Sequence, residues 1–222
     1  MVRTKLFPRL SGEAEDVLVQ KPDIVVAGRY TKRATRELLR ENGLHVVEFD
    51  AARSLDDVKA QLRQMGDLTG HPDRASDEIK RLDSAIARVR AVASGKPYRV
   101  LAVSRRGWVS GPESLTTSLL AAAGLANAGG ELGLKAGGYA SLEAIVALKP
   151  DFILVSDGGD FAEDEGRAFL LHPALERFYP AARRIVIPER LTICGGPMLS
   201  EALDRLASEL ERVVSEPERV EH

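Results

Sequence analysis

Side chains that could bind a ligand are concentrated in two short segments of this chain. Arg29 and Tyr30 follow one apolar run, and Arg105, Arg106 and Trp108 follow another. A tyrosine phenolate is a hard anionic ligand that suits ferric iron, free or in haem, and arginine pairs with carboxylates through two parallel hydrogen bonds. The indole of Trp108 can stack on a flat ring system. These residue types favour non-covalent binding of a large flat or anionic ligand.

Each of these side chains also has a purely structural interpretation. Tyr30 could pack on its own part of the fold, and Trp108 could anchor a core beneath its loop. The adjacent arginines could simply be solvated. We favour ligand contact for Trp108 because its neighbours Arg105, Arg106 and Gly107 are not typical of a core.

Three further residues are candidates for ligand contact: Tyr139, Asp157 and Cys194. Tyr139 precedes a predicted N-cap, Ser141, so it could instead pack over the following helix as a hydrophobic staple. A lone cysteine is usually a small buried hydrophobe. Asp157 begins the loop that follows an apolar run.

The sequence offers little support for catalysis. It has no P-loop, no G-x-S-x-G, no H-E-x-x-H and no pair of cysteines. We expect the four histidines to lie too far apart to share one metal ion; they are His45, His71, His172 and His222. We therefore predict a protein that is not an enzyme and has no resident metal or intrinsic cofactor.

Composition narrows the class of protein further. The 222 residues suffice for one large domain or two small lobes, and the formal net charge of −2 argues against a general affinity for nucleic acid. The single cysteine excludes an internal disulfide bond. No segment approaches the ~20 consecutive apolar residues of a membrane-spanning helix. The first residues show no secretory signal, so either a cytoplasmic protein or a signal outside this sequence is expected.

A twelve-residue pattern occurs twice, at 15–26 and at 143–154, with a constant offset (149 − 21 = 128). Each copy predicts a helix, a Lys-Pro-Asp stop and a buried strand, since proline cannot continue the helix and displaces the residue before it. A repeat at half-chain spacing favours two similar α/β lobes with parallel sheets and a ligand cleft between them. Residues 73–93 predict one long amphipathic helix without a repeat partner.

We therefore divide the chain into three parts. An N-terminal lobe spans 1–70, a connecting backbone helix 71–96, and a C-terminal lobe with the final helix 97–222. The second lobe has a strand and helix at 99–124 ahead of its repeat, and the first lobe has only fourteen residues there. The first lobe is thus expected to be incomplete, and a homodimer could cover the strand edge left open.

Taken together, these motifs make the chain resemble the helical-backbone periplasmic binding proteins, the receptors of ABC importers for iron-siderophores, haem and cobalamin. The resemblance is carried by both Lys-Pro-Asp units, the long helix, the run Ser-Gly-Pro-Glu-Ser-Leu at 110–115 and Leu-Ala-Asn-Ala-Gly-Gly at 125–130. Compared with that family, the chain looks shortened at its N-terminus.

The resemblance implies a function, a location and partners. The chain would bind an iron-siderophore, haem or cobalamin as transported ligand and deliver it to an ABC permease from the periplasm. Surface glutamates of the family dock on the permease, and Glu37 and either Glu163 or Glu165 are the candidates by position. Two alternatives stay open: a cytoplasmic or regulatory protein derived from a receptor, and an enzyme on the same bilobal fold.

Overall fold

A computed structural model describes residues 10–93, 95–157, 168–192 and 194–215. Within it the chain forms two compact units, 1–51 and 52–222. The long helix therefore packs as part of the second unit, and the division falls earlier than the predicted boundary at residue 70. Its role as a connector of lobes stays a prediction.

The first unit is a small α/β element. It contains α1 (Ala14–Val19), β1 (Ile24–Gly28), α2 (Arg33–Glu41) and β2 (His45–Phe49). The two strands are parallel and in register from Ile24 opposite His45 to Gly28 opposite Phe49. Helix α1 and strand β1 were predicted from the repeat, because the Lys-Pro-Asp stop between them is a local signal.

Two helices open the second unit. In α3 (Leu55–Leu68), Ser54 accepts a hydrogen bond from the Asp57 amide, and the Asp57 carboxylate bonds back to the Ser54 amide. This capping box satisfies amides that the helix itself cannot pair. The next helix, α4 (Pro72–Ala93), buries Leu82, Ala85 and Val89, so the predicted amphipathic helix is confirmed.

The remaining elements build a sheet of six strands. These elements are β3 (Arg99–Val103), β4 (Trp108–Ser110), α5 (Leu115–Ala122), β5 (Ala126–Asn127), β6 (Gly137–Tyr139), α6 (Leu142–Leu148), β7 (Phe152–Asp157), α7 (Pro173–Phe178), β8 (Arg184–Pro188) and α8 (Leu199–Ser215). The strand order is β6-β4-β3-β7-β8, with β5 also paired to β3. Strands β3, β5, β7 and β8 are parallel, as predicted, whereas β4 and β6 form an antiparallel extension that was not predicted.

Both faces of this sheet are covered. On one face, Ala102, Leu154 and Ile185 belong to a buried cluster with residues of α4 and α8. On the other, Leu101 and Ile153 lie in a cluster with residues of α6 and α7. Successive residues of β3 and β7 point to opposite faces, which explains why their sequences are continuous apolar runs rather than alternating ones.

Both copies of the sequence repeat fold alike. Soon after α1 and α6 comes a lysine with positive φ, 45° at Lys21 and 49° at Lys149, and then Pro-Asp and a strand of a parallel pair. A left-handed lysine reverses the chain at a helix end, a position more usually taken by glycine. In the second copy the Asp151 carboxylate also accepts the backbone N–H of Arg99 at 2.7 Å, and the Asp151 N–H donates to the Arg99 carbonyl at 2.8 Å.

Candidate functional site

The antiparallel extension of the large sheet holds two candidate residues side by side. Trp108 on β4 lies directly opposite Tyr139 on β6. Their ring centroids are 5.1 Å apart and the ring planes meet at 82°, an edge-to-face arrangement that aromatic pairs prefer. Trp108 is 40% and Tyr139 69% exposed. The interpretation of Trp108 as a core anchor is therefore wrong, and the pair offers aromatic surface to solvent.

A tight turn places Trp108 at the carboxyl end of β3. The Ser104 amide donates to the Trp108 carbonyl at 2.7 Å, and Arg106 adopts a positive φ of 58°. Gly107 also has a positive φ, and a Cβ there would lie 2.7 Å from the Ala140 carbonyl oxygen. The chain therefore needs glycine at 107, and the turn fixes the direction of β4.

Glycine also shapes the surface beside the tryptophan. Gly137 has φ of 152°, and a Cβ at this position would lie 2.8 Å from the Val109 carbonyl oxygen and 3.0 Å from the Trp108 ring. The indole therefore lies over backbone that carries no side chain. Helix α6 begins just after Tyr139, and the Ser141 side chain accepts the Ala144 amide at its start. A backbone hydrogen bond is the main cause that lowers the pKa of Glu143, and a hydrogen bond with the Ser141 hydroxyl is the second.

The two adjacent arginines differ in their surroundings. Arg106 is exposed, whereas Arg105 is half-buried and makes interactions within the protein. Both belong to the turn that precedes Trp108. They place two positive charges just before Trp108 in the sequence. Aromatic and positively charged side chains together suit an aromatic ligand that carries carboxylates.

In the first unit, Tyr30 and Arg29 lie in the loop that follows β1. Tyr30 is 89% exposed, and Arg29 is also exposed. A turn holds the loop, because the Thr31 amide donates to the Gly28 carbonyl at 3.0 Å and the Gly28 amide to the Thr31 hydroxyl at 3.2 Å. The alternative that Tyr30 packs on its own lobe is therefore wrong, and its phenol is accessible.

The other candidate residues are less informative. Cys194 is an exposed free thiol, so the expectation of a buried hydrophobe is wrong. Asp157 is the last residue of β7. Glu37 pairs with Arg33 at 2.6 Å, whereas Glu163 and Glu165 lie outside the described residues.

Sequence reasoning missed a group of hydroxyl side chains in the second unit. A cavity there is lined by apolar side chains and by the hydroxyl-bearing residues Ser104, Ser110, Thr116, Ser156 and Thr192. Ser104 and Ser156 belong to the carboxyl ends of neighbouring parallel strands, and only the strand order brings them together. In the sequence, the one indication that Ser104 and Ser156 could line a site was that each follows an apolar run.

The histidines of the described part of the chain do not form a metal site. His172 accepts the Ala174 amide at the start of α7, and no group of three or more His, Cys, Asp or Glu converges within the described ranges. No helix there has the length and apolar character needed to cross a bilayer.

Comparison with known proteins defines the class to which this fold and site belong. Residues 6–187 match the model of the periplasmic binding protein family, and the chain belongs to that family. The predicted resemblance is thereby confirmed.

Three relatives illustrate the similarity. A cobalamin-binding protein of Halobacterium salinarum is 28% identical over 205 residues, which cover 87% of this chain and 54% of that protein; the chain thus spans about half of its length. The apo periplasmic haem-binding protein RhuT from Roseiflexus sp. RS-1 is 26% identical, with a TM-score of 0.75 over 95% of this chain and 85% of that one. A periplasmic haem-binding protein from Pseudomonas aeruginosa is 27% identical, with a TM-score of 0.72 over 89% and 75%.

Proposed function

We propose that this chain is the substrate-binding component of an ABC import system. It binds an iron chelate, haem or cobalamin without changing its covalent structure, and it presents the ligand to a permease in the periplasm. Membership of the periplasmic binding protein family supports this assignment. The relatives also support it, because they are named as haem-binding or cobalamin-binding proteins.

The exposed pair of Trp108 and Tyr139 carries the proposal. Two rings held edge to face at a sheet edge, 40% and 69% exposed, form an apolar surface with fixed geometry. A porphyrin or corrin gains by burying such a surface, since each aromatic side chain contributes a large contact area at a small cost in conformational entropy. Among the three ligand classes, the flat macrocycles fit this pair best.

Charged and phenolic groups add to the proposal. Arg106 would pair with a carboxylate of the ligand, and Tyr30 would supply a phenolate to ferric iron. Glu37 remains a candidate for docking on the permease. A permease arginine would then replace Arg33 as its ion-pair partner.

The first experiment is a fluorescence titration that exploits Trp108, the single tryptophan of the chain. Haem, cobalamin and several ferric siderophores are added separately, with correction for the inner-filter effect. Saturable quenching by one class at micromolar concentration or below identifies the ligand. If none of them quenches saturably, and calorimetry also detects no binding, the receptor assignment fails.

A further inference from the structure

One row of residues crosses the large sheet and joins the aromatic pair to the hydroxyl-lined cavity. Tyr139 lies opposite Trp108, and the Ser104 amide donates to the Trp108 carbonyl at 2.7 Å. Strands β3 and β7 are parallel and in register up to the residues just before Ser104 and Ser156, so these two serines are neighbours. Ile187 on β8 is in register with Ser156 and ends the row.

The side chains of this row project from one face of the sheet. Residues opposite each other on paired strands share a face, and successive residues alternate between faces. Val103 and Val109, one position along from the row, lie in the buried cluster on the other face. Adjacent strands are about 4.8 Å apart, so a ligand that rests on the Trp108 ring can place a short side arm at Ser104 or Ser156.

The cavity beside the two serines has room for a small substituent. Its volume is about 50 Å³, and a buried water needs at least ~10–15 Å³ on this measure. Leu119 of α5 and Leu203 and Leu206 of α8 supply apolar lining, which suits the methylene stem of a side arm. The hydroxyls in the lining suit a polar group at the end of that stem.

The hydroxyl groups of the cavity are available to a ligand. The Ser104 and Ser156 hydroxyls make no hydrogen bond with any residue that the structure describes. Ser110 contacts the Thr116 hydroxyl at 3.5 Å, and Thr192 contacts a backbone carbonyl at 3.4 Å. Both distances are longer than those of a good hydrogen bond between oxygen atoms, so a polar ligand group could replace these contacts at little cost.

The lining also selects the charge of the group that it can hold. Among the described residues that line the cavity, none carries a charged side chain. A carboxylate only accepts hydrogen bonds, and its charge would be buried there without a cation, which is unfavourable. A carboxamide is uncharged and both donates and accepts, as hydroxyls do. The cavity therefore favours a carboxamide over a carboxylate.

We propose that this cavity holds a primary carboxamide side arm of the ligand whose ring system rests on Trp108 and Tyr139. This site rests on the proposed function, since the ring system must bind for its arm to enter the cavity. It narrows the ligand to a corrinoid, because cobalamin carries carboxamide arms whereas the polar arms of haem are carboxylates. Arg106 is exposed and does not line the cavity, so it stays available to an anionic group elsewhere on the ligand.

Calorimetric titration of the full chain with modified corrinoids tests this site. The probes are cobalamin and a series of its monocarboxylic acid derivatives, in each of which one carboxamide arm has been hydrolysed. At about pH 7 one of these acids is expected to bind roughly tenfold more weakly than cobalamin, because its charged arm cannot enter the cavity. Acids that are altered at arms outside the cavity should bind as cobalamin does.

A serine variant locates the effect in the cavity. Ser156→Ala should raise the dissociation constant for cobalamin roughly tenfold, because the carboxamide is left without a hydrogen-bonding partner. It should hardly change that for the weakly bound acid, whose arm stays outside. Ser208→Ala is the matched control, since this exposed hydroxyl on α8 bonds only to the Asp204 carbonyl among the described residues. Circular dichroism checks that both variants are folded.

The outcomes separate this site from the receptor function. Equal affinity for cobalamin and every acid, equal losses for both ligands in Ser156→Ala, or tighter binding of haem than of cobalamin overturns the carboxamide site and leaves the receptor assignment intact. If neither haem nor any corrinoid binds to the unmodified chain, both proposals fail. The series of acids needs no variant, so it decides the matter even if Ser156→Ala does not fold.

Discussion

Trp108 and Tyr139 lie opposite each other on antiparallel strands, with ring centroids 5.1 Å apart and an interplanar angle of 82°. They are 31 residues apart (139 − 108) in the sequence. Because each ring supports the other while both stay exposed, we expect them to act on a ligand as one unit. The first prediction tests this coupling.

Substitution of either ring should weaken ligand binding. Trp108→Ala and Tyr139→Ala are each expected to raise the dissociation constant for the ligand identified by titration by roughly tenfold, because each removes a contact ring and the support of the other. The double variant should lose less than the sum of the two free-energy changes. Isothermal titration calorimetry measures all three, since it does not depend on the tryptophan.

Phe178→Ala is the matched control for this pair. Phe178 is an aromatic residue of similar exposure, 47%, on α7. Binding should be unchanged in this variant. Additive losses in the double variant would show that the rings act separately.

Tyr30 should distinguish an iron ligand from an aromatic contact. If the phenolate binds ferric iron of haem, Tyr30→Phe and Tyr30→Ala lose affinity equally, and the phenolate-to-iron absorption band disappears. If the ring only packs on the ligand, Tyr30→Phe keeps its affinity and Tyr30→Ala does not. Absorption spectroscopy and calorimetry separate these outcomes, and unchanged binding in Tyr30→Ala would remove Tyr30 from the site.

Gly137→Ala should disturb the packing of the Trp108 ring. The added methyl group meets the Val109 carbonyl and the Trp108 ring, and the strand must also hold a positive φ that alanine disfavours. We expect a loss of about 1–3 kcal/mol in stability and a shift in the Trp108 emission. Chemical denaturation followed by fluorescence measures both.

Gly130→Ala is the corresponding control. Its Cβ would lie at least 3.7 Å from the nearest side chain, that of Pro112, an ordinary contact distance. Stability and emission should hardly change. An equal effect of both substitutions would mean that the close approach to Trp108 does not matter.

The capping box of α3 should make stability depend on pH. The Asp57 carboxylate accepts the Arg53 amide at 2.9 Å and the Ser54 amide at 3.0 Å, and these hydrogen bonds, with the Arg53 amide first, lower the pKa of Asp57. Since the folded-state pKa lies below the unfolded value of about 3.9, the stabilisation is present above that value. It is lost as the pH falls through the folded-state pKa.

Asp57→Asn should therefore lower the melting temperature at about pH 7, and this difference should shrink as the solution is acidified below about pH 4. Asp56→Asn removes the same charge from the first turn but leaves both hydrogen bonds in place. Thermal unfolding followed by circular dichroism compares the two. Identical pH dependence in both variants would contradict the role given to the capping box.

The helices and parallel strands could be predicted because their signals are local. The Lys-Pro-Asp stops end α1 and α6 at Val19 and Leu148, since proline removes the helical hydrogen bond wherever it stands. The strand that follows each stop was predicted from the same repeat. The periplasmic binding protein family followed from the same motifs.

The candidate site was only partly predictable. Trp108 and Tyr139 were both candidates, but nothing in the sequence joined them. Trp-Val-Ser and Gly-Gly-Tyr have only three residues each, and the second contains two glycines, which are depleted in strands, so neither segment predicts a strand alone. They become strands because the end of β3 and the turn at Gly107 supply the hydrogen-bonding partners.

The sequence by itself thus determined the elements whose start, stop and burial depend on neighbouring residues, together with the chemical types available for binding. Only the tertiary structure determined which of these side chains lie close to one another. Pairing across a sheet joins residues that are distant along the chain, and its free energy comes from contacts that form only when the fold is assembled. For that reason the Trp108–Tyr139 pair and the hydroxyls of Ser104 and Ser156 at neighbouring strand ends came from the structure alone.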